Sequence, residues 1–525
     1  MKQNKDNTSR AGKPAEENGK GIFCFSLLTL SLFLLLAWLW ASWWMGDIFR
    51  IAYEYSFFAP DATLMHWLWQ KSFGWLWVIG RALLTLYHQP LLGGLFVAIL
   101  LTAGSWLLGY CLRLSQRWRW VQYLPAAAWM IWTAHVGLNL YYMREPGRIL
   151  AIPFLFVVVC GILAAVTLGF RSYESQKSDM TYKSGILQVL FLLVLFALPM
   201  IHLHQRHPYM RALTHMQVQL LHNDFEGMSR TAHEHADMCN RQMAGYYVIA
   251  LARTGHLADQ LFDIKLEFDT VKAYGYGGRP NACMKYHVID CNYYAGLYRV
   301  SRHNAMESMT LDGPSLFTLK MLAKIALLDG DSILARKYLH IIRKVPFEGD
   351  FFNKYAPMAE HPELVKADPE FAAILNVVPP YHSFENLFLQ PAFIGFYANL
   401  RTFRNPETLT WSLMANLYSK RMPDFLMRCQ KLTGTATSRS IAEGLVLQSQ
   451  KFPAVVEAFP QLKMDLQRLE YFIQDATPYM NDRDLGNQVL FEKYKGYYPY
   501  YYFFCNLHGA RADGNEDDHP KSGVN

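Results

Sequence analysis

Histidine side chains cluster in the middle of the sequence. Seven of the 18 histidines fall between positions 202 and 235, and Asp237 and Cys239 follow them. Imidazole, carboxylate and thiolate groups are the ligands that zinc prefers in proteins. Within the stretch HEHADMC, His233, His235 and Cys239 stand close in sequence, and on a helix the last two would share a face. They are therefore the candidate metal ligands, although their spacing matches no zincin, zinc finger or haem-attachment motif.

A second group of candidates is acidic and lies early in the chain. Asp47, Glu54 and Asp61 follow the first long apolar segment, where a first outer loop of a membrane protein would begin. Membrane glycosyltransferases often use carboxylates in such a loop, because a carboxylate beside a substrate can act as an acid or a base. Neither an Asp-x-Asp nor a Glu-Asp pair occurs in this loop, so we expect these residues to belong to a solvated surface.

Three further polar residues accompany the third apolar segment. His135 lies within it, and Arg144 and Glu145 come directly after it. An ionisable residue inside a membrane is costly and is therefore a functional candidate. Near the end of a span, however, a neutral histidine needs only a backbone partner, and this structural role is the alternative.

The eight cysteines divide between the apolar and the polar parts of the chain. Cys24, Cys111 and Cys160 lie in apolar segments, where a thiol packs like a small apolar side chain. The other five are Cys239, Cys283, Cys291, Cys429 and Cys505. Because an oxidising compartment permits disulfides, we predict a bond between the closest pair, Cys283 and Cys291.

Motifs that bind phosphates or dinucleotides, and the nucleophile elbow of hydrolases, do not occur in the sequence. The glycine-rich stretch Tyr274–Asn281 lacks the strand and helix that such motifs need on either side. We therefore predict no cofactor and assign no catalytic residue.

The first half of the chain contains five long segments without a formal charge. These segments must position the candidate residues of that half. They are residues 21–46, 91–112, 121–143, 149–170 and 184–203. Each reaches the roughly 20 residues that a helix needs to cross about 30 Å of hydrocarbon. The sequence therefore predicts a bundle of five transmembrane helices. The first of these is too long for a typical signal peptide and lacks a cleavage site, so we interpret it as a retained anchor.

The lysines and arginines between these segments predict the orientation. With the basic tail of residues 1–20 placed in the cytoplasm, 11 basic residues lie inside and five lie outside. The large second half then lies outside the cytoplasm. Residues 65–88 are rich in tryptophan but carry Lys71 and Arg81, which favours an interfacial or re-entrant helix. The alternative is a sixth crossing, which would invert everything after it.

Apolar residues take helical spacing in the second half. The stripe before Gly330 consists of Leu316, Leu319, Leu322, Ala323 and Ala326, and the stripe after it consists of Ala335, Leu339 and Ile342. Gly330 can adopt the left-handed conformation that ends a helix, and Asp331 can cap the next one. Asn223, Gly255 and Gly330 are candidate turn positions separated by 32 and 75 residues, near one and two periods of about 34 residues.

The stretch LAKIALLDGDSILARKYLHIIRKVPF resembles tetratricopeptide-like helical hairpins. Ala323, Gly330, Ala335 and Tyr338 stand where that motif places small and packing residues, and Pro346 closes the unit. Several membrane helices followed by degenerate helical repeats and the aromatic segment YKGYYPYYYFF resemble an uncharacterised family of bacterial multi-pass membrane proteins. The resemblance implies a bacterial origin and a curved helical solenoid whose concave face binds peptides or proteins. It implies no activity and no site residue.

Composition excludes several classes of protein. The chain has 525 residues with a net charge of +7, and only 18% of them are charged. The first 202 residues hold 16 basic and nine acidic residues, so the positive excess lies in the apolar half. This distribution excludes a compact soluble enzyme, a disordered chain and a basic nucleic-acid binder.

We therefore predict an all-α protein of the bacterial inner membrane. A five-helix bundle over residues 21–203 precedes a periplasmic helical-repeat domain over residues 204–507, and residues 508–525 form a disordered tail. The predicted function is a non-catalytic interaction platform that contacts the lipid bilayer and a protein partner on its repeats. The alternative is an enzyme or subunit of envelope glycan or lipid metabolism.

Overall fold

A computed structural model describes most of the chain. The described residues are 14–114, 116–137, 145–169, 182–206, 208–237, 241–266, 282–379, 397–432, 438–449, 459 and 462–505. Within these ranges the secondary structure is helical and contains no strand. The predicted all-α class is therefore confirmed. The chain divides into two compact units, Met1–Pro208 with Lys344–Phe347, and Tyr209–Arg343 with Glu348–Asn525.

The first unit contains eight α-helices in its described part. They are α1 (Pro14–Leu39), α2 (Gly46–Glu54), α3 (Ala62–Trp69), α4 (Gly74–Leu84), α5 (Pro90–Cys111), α6 (Leu124–Val136), α7 (Arg148–Gly169) and α8 (Tyr182–Arg206). A π-helix (Trp40–Trp44) extends α1, and 3-10 helices (Thr85–His88 and Gln116–Tyr123) precede α5 and α6.

Four helical segments of this unit are long and apolar enough to cross a membrane. They are Leu27–Trp44, Pro90–Cys111, Arg148–Thr167 and Ile186–Gln205. They match the first, second, fourth and fifth predicted segments. The chain therefore has the helices of a membrane protein, by length and composition.

The predicted third span is not one long helix. Over residues 121–143 the chain forms the end of a 3-10 helix and then α6, which is followed by Gly137 at a φ of 48°. The 13 residues of α6 extend only about 20 Å, which is less than the thickness of a hydrocarbon core. Residues 138–144 lie outside the described ranges, so a fifth spanning helix is not confirmed.

Contacts along the helices give their directions. Phe33 and Tyr123 have ring centroids 4.6 Å apart, and the rings of Trp40 and Trp129 are 5.9 Å apart, so α1 and α6 run in parallel. In the same way Trp120 packs on Phe191 and His135 on His202, which makes α6 and α8 parallel.

The helices α5 and α7 run in the opposite direction. Gly46 lies beside Pro90, and Ser42 lies beside Gly94. As the residue number rises along the α1 segment, the number of the neighbouring α5 residue falls, so the two segments are antiparallel. Gly104 packs against Phe156, and the Cys111 thiol donates to the Cys160 carbonyl, so α5 and α7 are parallel to each other.

Residues 65–88 form a helical hairpin instead of one helix. The chain turns between α3 and α4 at Phe73, which has a φ of 58°. A Cβ on Gly74 would collide with the Leu68 carbonyl, so the turn is tight enough to require glycine there. No continuous helix of this segment is long enough for the alternative sixth crossing.

The second unit is also built of helices. Its first part contains α9 (Met210–Leu221), α10 (Phe225–Glu234), α11 (Arg241–Thr254), α12 (Leu257–Gln260), α13 (Ala282–Tyr294), α14 (Tyr298–Asp312), α15 (Leu316–Leu328) and α16 (Ser332–Arg343). Then follow α17 (Gly349–Glu360), α18 (Glu363–Ala367), α19 (Pro369–Val377), α20 (Pro406–Tyr418), α21 (Met422–Cys429), α22 (Arg439–Ser449), α23 (Lys463–Ala476), α24 (Arg483–Tyr494) and α25 (Tyr498–Phe504).

The predicted turns of this unit are confirmed. Asn223, Gly255 and Gly330 all have positive φ values, of 55°, 80° and 75°. The Asp331 carboxylate accepts a hydrogen bond of 3.0 Å from the Leu334 amide and so caps α16. The two predicted apolar stripes on either side of Gly330 are buried, and α15 packs on α16.

The aromatic segment at the end of the unit belongs to its core. Most side chains of α25 are buried, and the Tyr498 and Tyr501 hydroxyls donate to the Leu417 and Tyr418 carbonyls. These bonds fix α25 to the end of α20. The hydrogen-bonding capacity of the tyrosines is thus satisfied by the protein itself. Residues 508–525 lie outside the described ranges.

Candidate functional site

The densest group of buried ionisable side chains surrounds Glu370, at the start of α19. The Lys324 ammonium on α15 lies 2.8 Å from Oε1 of Glu370, and the side chains are 17% and 7% exposed. The Tyr293 and Tyr355 hydroxyls donate to the two carboxylate oxygens, over 3.2 Å and 2.8 Å. Lys354 adds a second ammonium group at 3.6 Å. One carboxylate therefore connects α13, α15, α17 and α19.

The local sequence explains the position of Glu370. Asp368 caps α19, and its carboxylate accepts bonds from the Glu370 and Phe371 amides. Pro369 occupies the first turn, where a missing amide hydrogen costs nothing. Negative side chains are favoured in this first turn by the helix dipole.

The charges of the pair determine its chemistry. Burial by itself would raise the pKa of Glu370, but Lys324 and the Tyr355 hydrogen bond lower it to about 2. Burial would lower the pKa of Lys324, but Glu370 outweighs it and the pKa is raised. At neutral pH both groups are therefore charged, and neither suits general acid or base catalysis. The arrangement fixes helices relative to one another.

A second ion pair lies one turn earlier on α15. The Lys320 ammonium is 2.8 Å from the Glu348 carboxylate, which is buried. Both lysines also approach the Phe351 ring, with Nζ 5.5 Å and 6.0 Å from its centroid. The sequence analysis did not predict this network. The signal that could have revealed it is the pair of lysines four residues apart in an otherwise apolar helix.

A further network joins the last helices of the unit around Glu443. Its buried carboxylate accepts from Arg439 at 3.2 Å, from Arg468 at 3.3 Å and from the Tyr498 amide at 2.8 Å. Arg439 also pairs with Asp263 at 3.2 Å. Burial raises the pKa of Glu443 and of Asp263, because the neighbouring arginines offset the desolvation only in part.

The predicted metal ligands have other contacts. His233 Nε2 lies 2.8 Å from the Tyr247 hydroxyl and 4.0 Å from Asp263, and His235 Nδ1 lies 3.0 Å from the Thr231 carbonyl. Cys239 is outside the described ranges. Among the residues that the structure describes, no three His, Cys, Asp or Glu side chains are grouped so that they could hold a metal ion.

The three predicted acidic residues of the first loop have separate positions. Asp47 lies in the first turn of α2, and the buried Glu54 pairs with Arg50 at 3.0 Å. Asp61 caps α3 and pairs with Lys344 at 2.6 Å, within the same compact unit. The Lys344 hydrogen bond lowers the pKa of Asp61 well below its usual range. The first loop therefore does not bring these carboxylates together as a pair.

The predicted polar residues near the membrane have partners in the first unit. His135 Nδ1 lies 2.9 Å from His202 Nε2. The Glu145 carboxylate forms ion pairs with Lys71 and with Arg81, the latter at 3.4 Å. The centroid of the Trp67 ring lies about 5 Å from both cations. Arg144 lies outside the described ranges.

The predicted disulfide partners lie on the same helix. Cys291 is a free, buried thiol on α13, and Cys283 belongs to the first turn of that helix. Eight residues of helical rise correspond to about 12 Å, and a disulfide spans less than about 7 Å between Cα atoms. The pairing stays a prediction, and it would require the start of α13 to unwind.

Two helices near the end of the unit, α23 and α24, expose apolar side chains. Met464 is 84% exposed, and Tyr471 lies two turns further along the same face of α23. Leu485 and Val489 are exposed one turn apart on α24. The opposite faces of these helices are buried through Phe472 and Leu490. Apolar side chains grouped on a surface are typical of interaction sites.

Taken together, these features define an all-helical protein with four helices that are able to cross a membrane and a second helical unit held by buried ion pairs. The chain belongs to DUF6057, a family of unknown function, whose family model matches residues 141–505. No curated protein and no solved structure matches the chain.

Proposed function

We propose that the protein is a membrane-embedded, non-catalytic interaction platform, and that its second unit binds a protein partner through α23 and α24. The observation that carries the proposal is that both helices expose apolar side chains to solvent, above all Met464 and Tyr471 of α23. Burying such side chains in an interface releases water and stabilises the complex, by about 25 cal/mol per Å² of apolar surface.

The directions of the helices support five crossings. Since α5 and α7 both run against α1, the chain between Cys111 and Arg148 has to return across the bundle. The 3-10 helix Gln116–Tyr123 and α6 together extend about 35 Å, at 2.0 Å and 1.5 Å per residue, which is enough to do so. On this proposal α6 is the third of five crossings, although its regular part is short.

Charge supports the orientation. The 11 basic residues of the proposed inner segments, against five outside, favour a cytoplasmic N-terminus. An odd number of crossings then puts the second unit outside the cytoplasm. The resemblance to bacterial multi-pass proteins suggests the inner membrane and the periplasm as the two locations.

The helical pairs support a repeat architecture. Three predicted turns have the left-handed residue that ends a helix, and α15 and α16 form the hairpin that resembles a tetratricopeptide unit. We propose that the pairs from α9 to α21 form a degenerate solenoid. Solenoids of this kind present extended surfaces that bind peptides or proteins.

The test is site-specific photo-crosslinking in living cells. A photoreactive phenylalanine analogue at Tyr471 or Leu485 should give a crosslink to one defined protein, whereas the analogue at the exposed Lys337 should not. Met464→Asp combined with Val489→Asp should remove the crosslink at Tyr471. The matched control is Gln474→Asp with Gln488→Asp, which adds the same charge at exposed polar positions of the same helices.

A second experiment separates the platform from the alternative enzyme. Single alanine replacements of Asp47, Glu54, Asp61, His135, His233 and His235 should each leave the deletion phenotype complemented. Complete loss of function from one of them, at normal protein level in the membrane, would contradict the platform and favour an enzyme of envelope glycan or lipid metabolism.

A further inference from the structure

The α3–α4 hairpin of the first unit has an unusual tip. Three large aromatic side chains lie at or next to its turn and are exposed. They are Trp69, Phe73 and Trp75, with exposed fractions of 51%, 68% and 47%. Phe73 has a φ of 58°, in the left-handed region that a residue with a side chain rarely adopts. The tight turn before Gly74 therefore holds a large aromatic ring outward at a conformational cost.

The hairpin lies at one end of the apolar helices. The chain leaves the first of them at Trp44 and enters the second at Pro90, and the hairpin occupies the connection. A Cβ on Gly80 of α4 would collide with the Gly147 carbonyl, directly before α7. Trp43 and Leu91 are exposed near the ends of the two segments that the hairpin connects. Exposed aromatic side chains at the ends of membrane helices are typical of the boundary between lipid and water.

Cations lie in the turn of the hairpin and along α4. Lys71 and Arg81 share one carboxylate, that of Glu145, and the Arg148 guanidinium lies over the Trp77 ring at 5.9 Å. Lys71 is one-third exposed and Arg148 is exposed, so both can meet a solvent-side ligand while they keep these contacts.

We infer that the tip of the α3–α4 hairpin inserts into the adjacent leaflet and that Lys71 and Arg148 bind the phosphate of an anionic phospholipid headgroup. The inference rests on the proposed membrane embedding and adds a ligand class to it. Tryptophan suits this depth because its ring is apolar and its N–H group can stay hydrated. The exposed cations attract the negative charge of the headgroup.

The experiment uses the full-length protein in nanodiscs of equal parts phosphatidylcholine and phosphatidylglycerol. A benzoylphenylalanine replaces Phe73 or, as a second variant, Trp69. Both should crosslink to lipid, and mass analysis of the peptide should identify the headgroup. Ile162, which is exposed on α7, is the position that reports embedding, and Met464 of the second unit is the position expected to give no lipid adduct.

The outcomes separate the two ideas. Lipid adducts at Ile162 but at neither hairpin position would overturn the insertion of the tip and leave the embedding intact. Absence of adducts at Ile162 as well would overturn the embedding itself.

The headgroup is tested by charge removal. Adducts at Phe73 should be enriched in phosphatidylglycerol, and each cation near the surface contributes up to about fivefold. Lys71→Gln with Arg148→Gln should bring the adducts close to the composition of the nanodisc, whereas Lys337→Gln in the second unit should not. An unchanged enrichment in the double variant would overturn the headgroup site. A separate measurement adds free glycerol phosphate in excess. Enrichment that persists under this condition would show that the lipid, not a soluble phosphate, is the ligand.

Discussion

The Lys324 ammonium lies 2.8 Å from the carboxylate of Glu370, a residue 46 positions later in the chain, and the two side chains are only 17% and 7% exposed. Two tyrosine hydroxyls complete the shell of the carboxylate. A buried pair of this kind stabilises the protein little compared with an apolar pair, but the loss of one partner leaves an uncompensated charge. The pair therefore makes the arrangement of α15 and α19 sensitive to single substitutions.

The first prediction concerns these two residues. Lys324→Met or Glu370→Gln should each lower the free energy of unfolding by about 3–5 kcal/mol. The double substitution to Met and Leu should cost less than the sum of the single ones, because no charge remains buried. Denaturant unfolding of the purified full-length protein in detergent, followed by circular dichroism, measures this. Lys337→Met, at an exposed position of α16, is the control, and equal effects of Lys324→Met and Lys337→Met would refute the prediction.

The second prediction is a pH dependence. The pKa of Glu370 lies near 2 in the folded protein, against an ordinary value of 4.5. Because the folded state favours the ionised carboxylate, this stabilisation is complete above pH 4.5 and is lost as the pH falls toward 2. Stability should therefore decline less steeply over this range in Glu370→Gln than in the unchanged protein. The raised pKa values of Asp263 and Glu443 act in the opposite direction, but they are common to both proteins. Parallel curves would contradict the assignment.

The third prediction concerns Gly330. Its φ is 75°, and a Cβ there would meet no atom within 4 Å, so only backbone strain opposes a side chain. Gly330→Val should lower stability by about 1–2 kcal/mol, and Gly330→Asn by less, because asparagine tolerates this conformation. Gly349→Val is the matched control, since that glycine also has free space but no positive φ. The prediction fails if both valine variants unfold at the same denaturant concentration.

The fourth prediction concerns the number of crossings. With five crossings, a reporter that is active only outside the cytoplasm should be active when fused after Asn525 and inactive when fused after Leu114, ahead of α6. A reporter that is active only in the cytoplasm should give the reverse pattern. Cytoplasmic activity after Asn525 would indicate an even number of crossings and would remove α6 from the membrane.

The sequence by itself determined the features that depend on local physics. Apolar runs of sufficient length predicted five membrane spans, because backbone groups in hydrocarbon must bond within a helix, and four of them are helices long enough to cross. Helical spacing predicted the buried stripes of α15 and α16. The turn at Gly330 followed from the conformational freedom of glycine, and Asn223 tolerates the same conformation.

Tertiary structure alone decided which distant side chains meet. Neither Lys324 nor Glu370 carries a local signal that names the other as its partner, because an ion pair across helices depends on how those helices pack. The same holds for two partners of Glu443, Arg468 on α23 and the amide of Tyr498, whereas Arg439 lies four residues away on the same helix and is a local partner. The hairpin shape of residues 65–88 could not be predicted from their composition either. One residue in the left-handed conformation, Phe73, turns this tryptophan-rich stretch into a hairpin. A local pattern is read from neighbours in sequence, whereas these contacts exist only after the helices have packed.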